Sequence, residues 1–116
     1  MISGRSYRPG DIIGSMGKKS IFIGNTDAEG RLTLIDAMQY IVTKESVTRV
    51  LDIATLTGAA LKCGGTAASV SISNNDEFFQ KADEAFGLSG EQLIRMPVFD
   101  EYRELIKHEH ADLTNI

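Results

Sequence analysis

The sequence of 116 residues has no tryptophan, two prolines and a single cysteine, and its aromatics amount to only 7%. A lone Cys63 can close no intrachain disulfide and cannot build a cysteine-rich zinc site. A disulfide-stapled secreted scaffold is therefore excluded, and a reducing compartment, the cytoplasm, is expected. Positive charge is also short. Twelve Lys and Arg stand against sixteen Asp and Glu, for a net charge of −4 and a pI near 5.1. A nucleic-acid or anionic-membrane surface needs a basic footprint that this balance lacks, so neither partner is expected. No apolar run approaches the ~20 residues of a membrane span. The opening Met1-Ile-Ser-Gly-Arg-Ser-Tyr-Arg8 has no signal-peptide stretch. Fixed-period repeats and low-complexity tracts are absent as well.

What is present suits one domain's length, with 42% apolar residues to form a modest core. Residues 1–19 read as an opening loop, with a turn at Arg8-Pro-Gly-Asp11. Ser20-Ile-Phe-Ile-Gly24 is a short apolar run bounded by turn formers and predicts a buried strand. Beyond it, Leu32, Ile35, Met38, Ile41 and Val42 recur at spacings of three and four, which predicts a helix with one buried face. Arg49-Val-Leu-Asp-Ile-Ala54 predicts another strand, and residues 55–62 a loop and short helix stopped at Gly64-Gly65. Residues 67–73 predict a further strand. Asn75-Asp76 is suited to cap a helix over 77–86, with a stripe of Phe78, Phe79, Ala82 and Phe86 and a stop at Gly87. A break at Met96-Pro97 precedes an amphipathic helix over Phe99 to Lys107. Strands alternating with helices imply an α/β fold of three layers, α/β/α, around a mixed, mostly parallel sheet.

The densest chemistry lies in Asn25-Thr-Asp-Ala-Glu-Gly-Arg31, between a predicted strand and a predicted helix. Ligands of open α/β sheets bind outside the carboxyl ends of strands, where loops converge and helix N-termini point inward. Asp27 and Glu29, two apart, would share a side of an extended loop and could share a divalent cation. Arg31 could face an anion in the same crevice. The plainer alternative is a pair of acids complementing a helix dipole, worth ~0.3–1 kcal/mol each.

Asn25-Thr-Asp-Ala-Glu-Gly-Arg-Leu32 resembles, at every position, the signature octapeptide of the leucine aminopeptidase (cytosol aminopeptidase) family of dizinc peptidases. Arg8-Pro-Gly-Asp-Ile-Ile13 is similar to the segment upstream of that signature, and Asp52-Ile-Ala-Thr-Leu-Thr-Gly-Ala59 to the substrate loop downstream. Ser73-Asn-Asn-Asp76, Ser89-Gly-Glu91, Met96-Pro97 and Ala111-Asp-Leu-Thr-Asn-Ile116 follow in family order, so the resemblance runs over nearly the whole chain.

The resemblance implies a hydrolase that removes N-terminal residues from peptides with two divalent metals, zinc or manganese, working as a hexamer. It implies that Asp27 ligates one metal, that Glu29 bridges both, and that Arg31 holds a bicarbonate ion serving as general base. Thr55, Leu56, Thr57 and Gly58 resemble the loop whose backbone aligns the peptide. In the family a lysine, two further aspartates and a second catalytic lysine lie upstream of the part resembled here, and Gly4-Arg-Ser-Tyr-Arg8 and Asp11 supply no match for them. Two carboxylates fall short of the about four donors that each zinc needs. The chain is therefore expected to be a partial catalytic domain, residues 1–116, cut at both ends and inactive alone, with no stably bound metal. A non-catalytic α/β interaction or scaffold module is the alternative.

Three lesser features are expected to be structural. His108-Glu-His-Ala-Asp112 has the start of a zinc motif but Leu113 where the next histidine belongs, so two solvent-facing histidines at a helix end are the plainer account. Gly64-Gly65 is read as a helix stop and not a phosphate loop, since no G-x-x-x-x-G-K-[ST] surrounds it. Cys63 is expected to be a small buried residue.

Overall fold

A computed structural model describes residues 3–116 and divides the chain into two compact units. One comprises the described residues up to Leu56 together with Asp100–Ile116, and the other Thr57–Phe99.

In the first unit, β1 (Ile12–Gly14) and β2 (Ser20–Phe22) form an antiparallel hairpin in which Ile13 faces Ile21 across the ladder. Pairing continues past the strands: the Ile23 N–H donates to the Asp11 carbonyl at 2.9 Å and the Gly10 N–H to the Ile23 carbonyl at 2.8 Å. The hairpin turn needs Lys18 in the left-handed region, at φ 61°. Helix α1 (Gly30–Lys44) steadies that turn, its Asp36 carboxylate accepting the Met16 N–H at 2.8 Å. The C-terminal segment returns through α4 (Asp100–Leu105) to β5 (Leu113–Thr114), which lies parallel to β2 with Ile21 opposite Leu113 and Phe22 opposite Thr114. The buried apolar residues among those described are Ile21 of the central strand β2 and Ile23 directly after it.

A clip fixes that return. The Asp112 carboxylate accepts from both the Ser20 N–H and the Ser20 hydroxyl at 2.8 Å, and the Ser20 oxygen accepts the Asp112 N–H at 3.0 Å. Lys19 lies 3.7 Å away. The Ser20 backbone bond foremost, then its hydroxyl, hold the Asp112 carboxyl below the ordinary aspartate value, with Lys19 assisting against the opposing effect of desolvation.

The second unit orders α2 (Ala60–Gly64), β3 (Ser69–Ser71), α3 (Asp76–Leu88) and β4 (Leu93–Arg95), with β3 and β4 parallel. The predicted cap is present: the Asn75 side chain accepts the Phe78 N–H at 2.8 Å. The phenylalanine stripe is half-buried as its spacing requires. Arg95 pairs with Asp76 and lies over the Phe79 ring, 4.7 Å from its centre, fastening β4 to the start of α3.

These mixed sheets with helices make an α/β fold. Among the described residues two of the three strand pairings are parallel, divided between a three-stranded and a two-stranded sheet. Several local expectations are corrected. Residues 49–54 form no strand, because no described strand pairs with them, and Leu51 and Ile53 are exposed. The stripe of α1 is half-buried, not buried, and Val42 is exposed. Helix α3 runs through Gly87 and stops at Gly90, whose φ of 83° lets the Glu91 N–H reach the Phe86 carbonyl at 2.9 Å. Gly65 does end α2, at φ 59°. Cys63 is exposed, since α2 is short and buries none of its residues. Three strands that the sequence pattern does not predict, β1, β4 and β5, are only two or three residues long.

Candidate active site

Strand β2 leads through the buried Ile23 into the loop Gly24–Glu29, which ends at the first turn of α1. The expected strand, loop and helix are therefore in place around the candidate residues. The loop is not extended, however. A turn at Thr26 and Asp27 is closed by the Asn25 side chain, which accepts the Asp27 N–H at 2.9 Å, and by the Asn25 carbonyl, which accepts the Ala28 N–H at 3.3 Å. Glu29 is already in the helical region, at φ −81° and ψ −31°, as the N-cap of α1. The side-by-side arrangement expected for an extended chain thus does not apply, and the loop's own hydrogen bonds set the directions of Asp27 and Glu29.

Asp27, Glu29 and Arg31 are all exposed. The Glu29 side chain makes no capping bond. The Leu32 and Thr33 N–H groups bond instead to the Glu29 carbonyl, at 3.0 and 3.2 Å.

Of the predicted substrate loop, Thr55 and Leu56 belong to the first unit and follow the irregular segment after α1. Leu56 lies against Gly30: a Cβ on that glycine would stand 2.6 Å from Leu56 Cδ1. Glycine at position 30 thus admits the Leu56 side chain between the positions of Glu29 and Arg31. Thr57 and Gly58 belong to the second unit, where their carbonyls accept the N–H groups of Ala60 and Leu61 at 3.3 and 3.2 Å.

Sequence reading missed Asn115. It is 2% exposed and follows β5, and its amide bonds to the loop at Gly24, Asn25 and Ala28. The available signal was its place in the Ala111–Ile116 stretch that resembles the family, which assigned the asparagine no role. His108 also differs from expectation. Its ring stacks on Phe22 at 3.8 Å and 9°, half-buried, while Nδ1 accepts the His110 N–H at 3.2 Å, so it is not a solvent-facing residue.

Divalent metals are hard cations that take carboxylate oxygen, and Asp27 and Glu29 supply that chemistry on one short turn. Among the described residues no group of three or more His, Cys, Asp or Glu gathers. The two acids fit as a share of a metal's donors, not as the whole set. No helix among the described residues is long and apolar enough to cross a membrane.

The whole chain, residues 1–116, matches the family model described as "Cytosol aminopeptidase family, catalytic domain". It is 53% identical over 116 residues to a protein of Clostridium perfringens named "Probable cytosol aminopeptidase", covering all of this chain and 24% of that protein. A protein of the same name from Cenarchaeum symbiosum is 41% identical over 116 residues, again the full chain and 24% of the relative. Among solved structures, "Tomato leucine aminopeptidase mutant - K354E" superposes with a TM-score of 0.92 at 42% identity, covering 98% of this chain and 22% of that one. The chain spans about a quarter of the length of these curated relatives.

Proposed function

The chain belongs to the cytosol aminopeptidase family, and from that premise we propose that residues 1–116 are a partial catalytic domain of a metal-dependent aminopeptidase that releases N-terminal residues from peptides. The observation that carries the proposal is the turn at Asn25–Glu29. It sets two exposed carboxylates at the carboxyl end of a buried strand, beside the first turn of a helix bearing Arg31.

In this proposal Asp27 and Glu29 would serve as carboxylate ligands for a pair of divalent ions, zinc or manganese, with Glu29 the one that both ions would share. When bound, such a pair activates water and polarises the scissile carbonyl. Arg31 gives a fixed positive charge in the first turn of α1, where it holds an anion, bicarbonate, as general base. Thr55, Leu56, Thr57 and Gly58 align the peptide through backbone groups, with Leu56 seated on Gly30 next to the carboxylate loop. The remaining donors come from outside these residues, so the 116-residue chain alone is inactive and holds no metal stably. A cytoplasmic location accords with the relatives' printed name, and a homo-oligomer, a hexamer, is proposed with it from the resemblance alone.

The test is calorimetric titration of Mn²⁺ into the 116-residue chain and into the full-length protein, together with hydrolysis of a leucyl amide. The full-length protein is expected to bind metal and to hydrolyse the amide, and to lose both in Asp27→Asn and Glu29→Gln. The isolated chain is expected to do neither. Wild-type hydrolysis by both variants would refute the site, and a full-length protein that neither binds metal nor hydrolyses the amide would favour a scaffold module. Tight stoichiometric binding by the isolated chain would refute the incompleteness.

A further inference from the structure

Strands β2 and β5 run parallel, so their carboxyl ends lie at one edge of the sheet. The residue that follows β5 therefore meets the loop that follows β2. That residue, Asn115, is polar and 2% exposed, and each polar position of its side chain is used. The Oδ1 atom accepts the Gly24 N–H at 2.9 Å and the Asn25 N–H at 3.3 Å. The Nδ2 atom donates to the Asn25 carbonyl at 2.7 Å and the Ala28 carbonyl at 3.3 Å. The Asn115 N–H donates to the Phe22 carbonyl at 3.1 Å. All partners are main-chain groups of fixed polarity, so the amide's orientation is determined: reversing it would set donors against N–H groups and an acceptor against carbonyls.

We propose that Asn115 is a positioning residue of the aminopeptidase site, holding the Gly24–Ala28 turn in the one shape that presents Asp27 and Glu29. The proposal rests on the function proposed above. Asn115 fixes both polar groups of the Asn25 main chain, and the Asn25 side chain in turn accepts the Asp27 N–H at 2.9 Å. A side chain some ninety positions away thus reaches Asp27 through a single intermediary. Asparagine is the residue required. Aspartate keeps the acceptor but loses both donors and turns an anion toward the Asn25 and Ala28 carbonyls. Glutamine is one methylene longer at a position only 2% exposed, where the surroundings must shift to take the added bulk.

Groups that orient metal ligands from behind typically cost about 10- to 100-fold in metal affinity or activity when removed. The experiment uses the full-length protein with Mn²⁺ and compares Asn115→Asp and Asn115→Ala with Ser20→Ala, which loosens the same C-terminal segment at the Asp112 clip but leaves the turn alone. In Asn115→Ala, which removes the acceptor, amide hydrogen exchange at Gly24 and Asn25 should accelerate in the metal-free protein; Asn115→Asp keeps that acceptor and is read by activity. The kcat for a leucyl amide should fall about 10- to 100-fold, with KM moving by less than about threefold. In Ser20→Ala the thermal midpoint should fall while kcat is retained. The inference is overturned if Asn115→Asp keeps wild-type kcat, or if Ser20→Ala loses as much kcat as Asn115→Asp at an equal fall in midpoint.

If the Asn115 variants fail to fold, Asn25→Ala breaks the last link at an exposed position. An unchanged kcat there overturns the proposal, and a loss supports it. Asp27→Asn separates the two levels: if it keeps wild-type kcat the site itself is wrong, whereas its loss alongside a fully active Asn115→Asp defeats the positioning role alone.

Discussion

Replacing Gly30 by alanine tests whether the carboxylate loop and the predicted substrate loop are mechanically joined. The new Cβ would stand 2.6 Å from Leu56 Cδ1, whereas apolar carbons rest at about 3.5–4.0 Å. Leu56 Cδ1 must therefore retreat by about 1 Å. Leu56 Cγ stands at 4.0 Å and the side chain is 42% exposed, so the terminal methyl can move without the backbone. The clash then falls at the low end of overpacking, about 1 kcal/mol. Against it, alanine at this first helical position gains on glycine by about 0.5–1 kcal/mol, because it narrows the freedom of the unfolded chain. The two terms nearly cancel, and Gly30→Ala alone should change stability little. In a Leu56→Ala background the clash is gone and only that gain remains. The same substitution should there stabilise by about 0.5–1 kcal/mol, a coupling between the sites of about 1 kcal/mol. Urea unfolding of the four proteins, followed by far-ultraviolet circular dichroism, measures this cycle. A coupling below about 0.3 kcal/mol would refute the contact, since unconnected sites are additive to that level. In the full-length protein Gly30→Ala should leave kcat/KM for a leucyl amide nearly unchanged, because the methyl retreats without moving the backbone groups that align the peptide.

The Asp112 clip makes stability acid-sensitive. Its carboxyl is held below the ordinary value when folded, so its contribution is complete above the unfolded aspartate value, about pH 4, and disappears as the pH falls through the lowered value. Thermal midpoints measured downward from pH 5 should show this loss in the wild type and a weaker slope in Ser20→Ala; equal slopes would refute the clip. Asn75→Ala removes the acceptor of the Phe78 N–H and should cost about 1 kcal/mol, read by urea unfolding, with Asn75→Asp retaining most of the stability. Ile23→Ala empties a site that is 0% exposed at the centre of the first unit's sheet and should cost about 2–5 kcal/mol. Hydrogen exchange should then accelerate at the Ile23 and Asn115 amides, and a cost near zero would contradict the packing of that strand.

The helices were legible because they are long. The stripe of Phe78, Phe79, Ala82 and Phe86 spans more than two turns, and the cap at Asn75 is a local bond between residues three apart. Strands β1, β4 and β5 are too short for a period of two to register, and they exist because a neighbour accepts their backbone. Residues 49–54 are the reverse case. Their composition is that of a strand, but pairing decides, and no described strand lies beside them. Gly87 and Gly90 divide on the same principle, since either could stop α3 locally and only the chain's onward path selects the one that takes φ 83°.

The candidate site divides in the same way. Its chemistry is local, an octapeptide that carries two acids and an arginine within five positions, and so it could be read directly from the sequence. Its geometry is not local. An isolated Asn25–Glu29 segment has many ways to satisfy its N–H and C=O groups with water, and alternation alone predicted an extended form that the folded chain does not adopt. What selects the turn is the parallel pairing of β2 with β5, which delivers one buried amide to four main-chain groups at once. Substituting within the octapeptide should therefore alter which ions or anions the loop can hold, whereas substituting Asn115 should leave that chemistry present and misplace it.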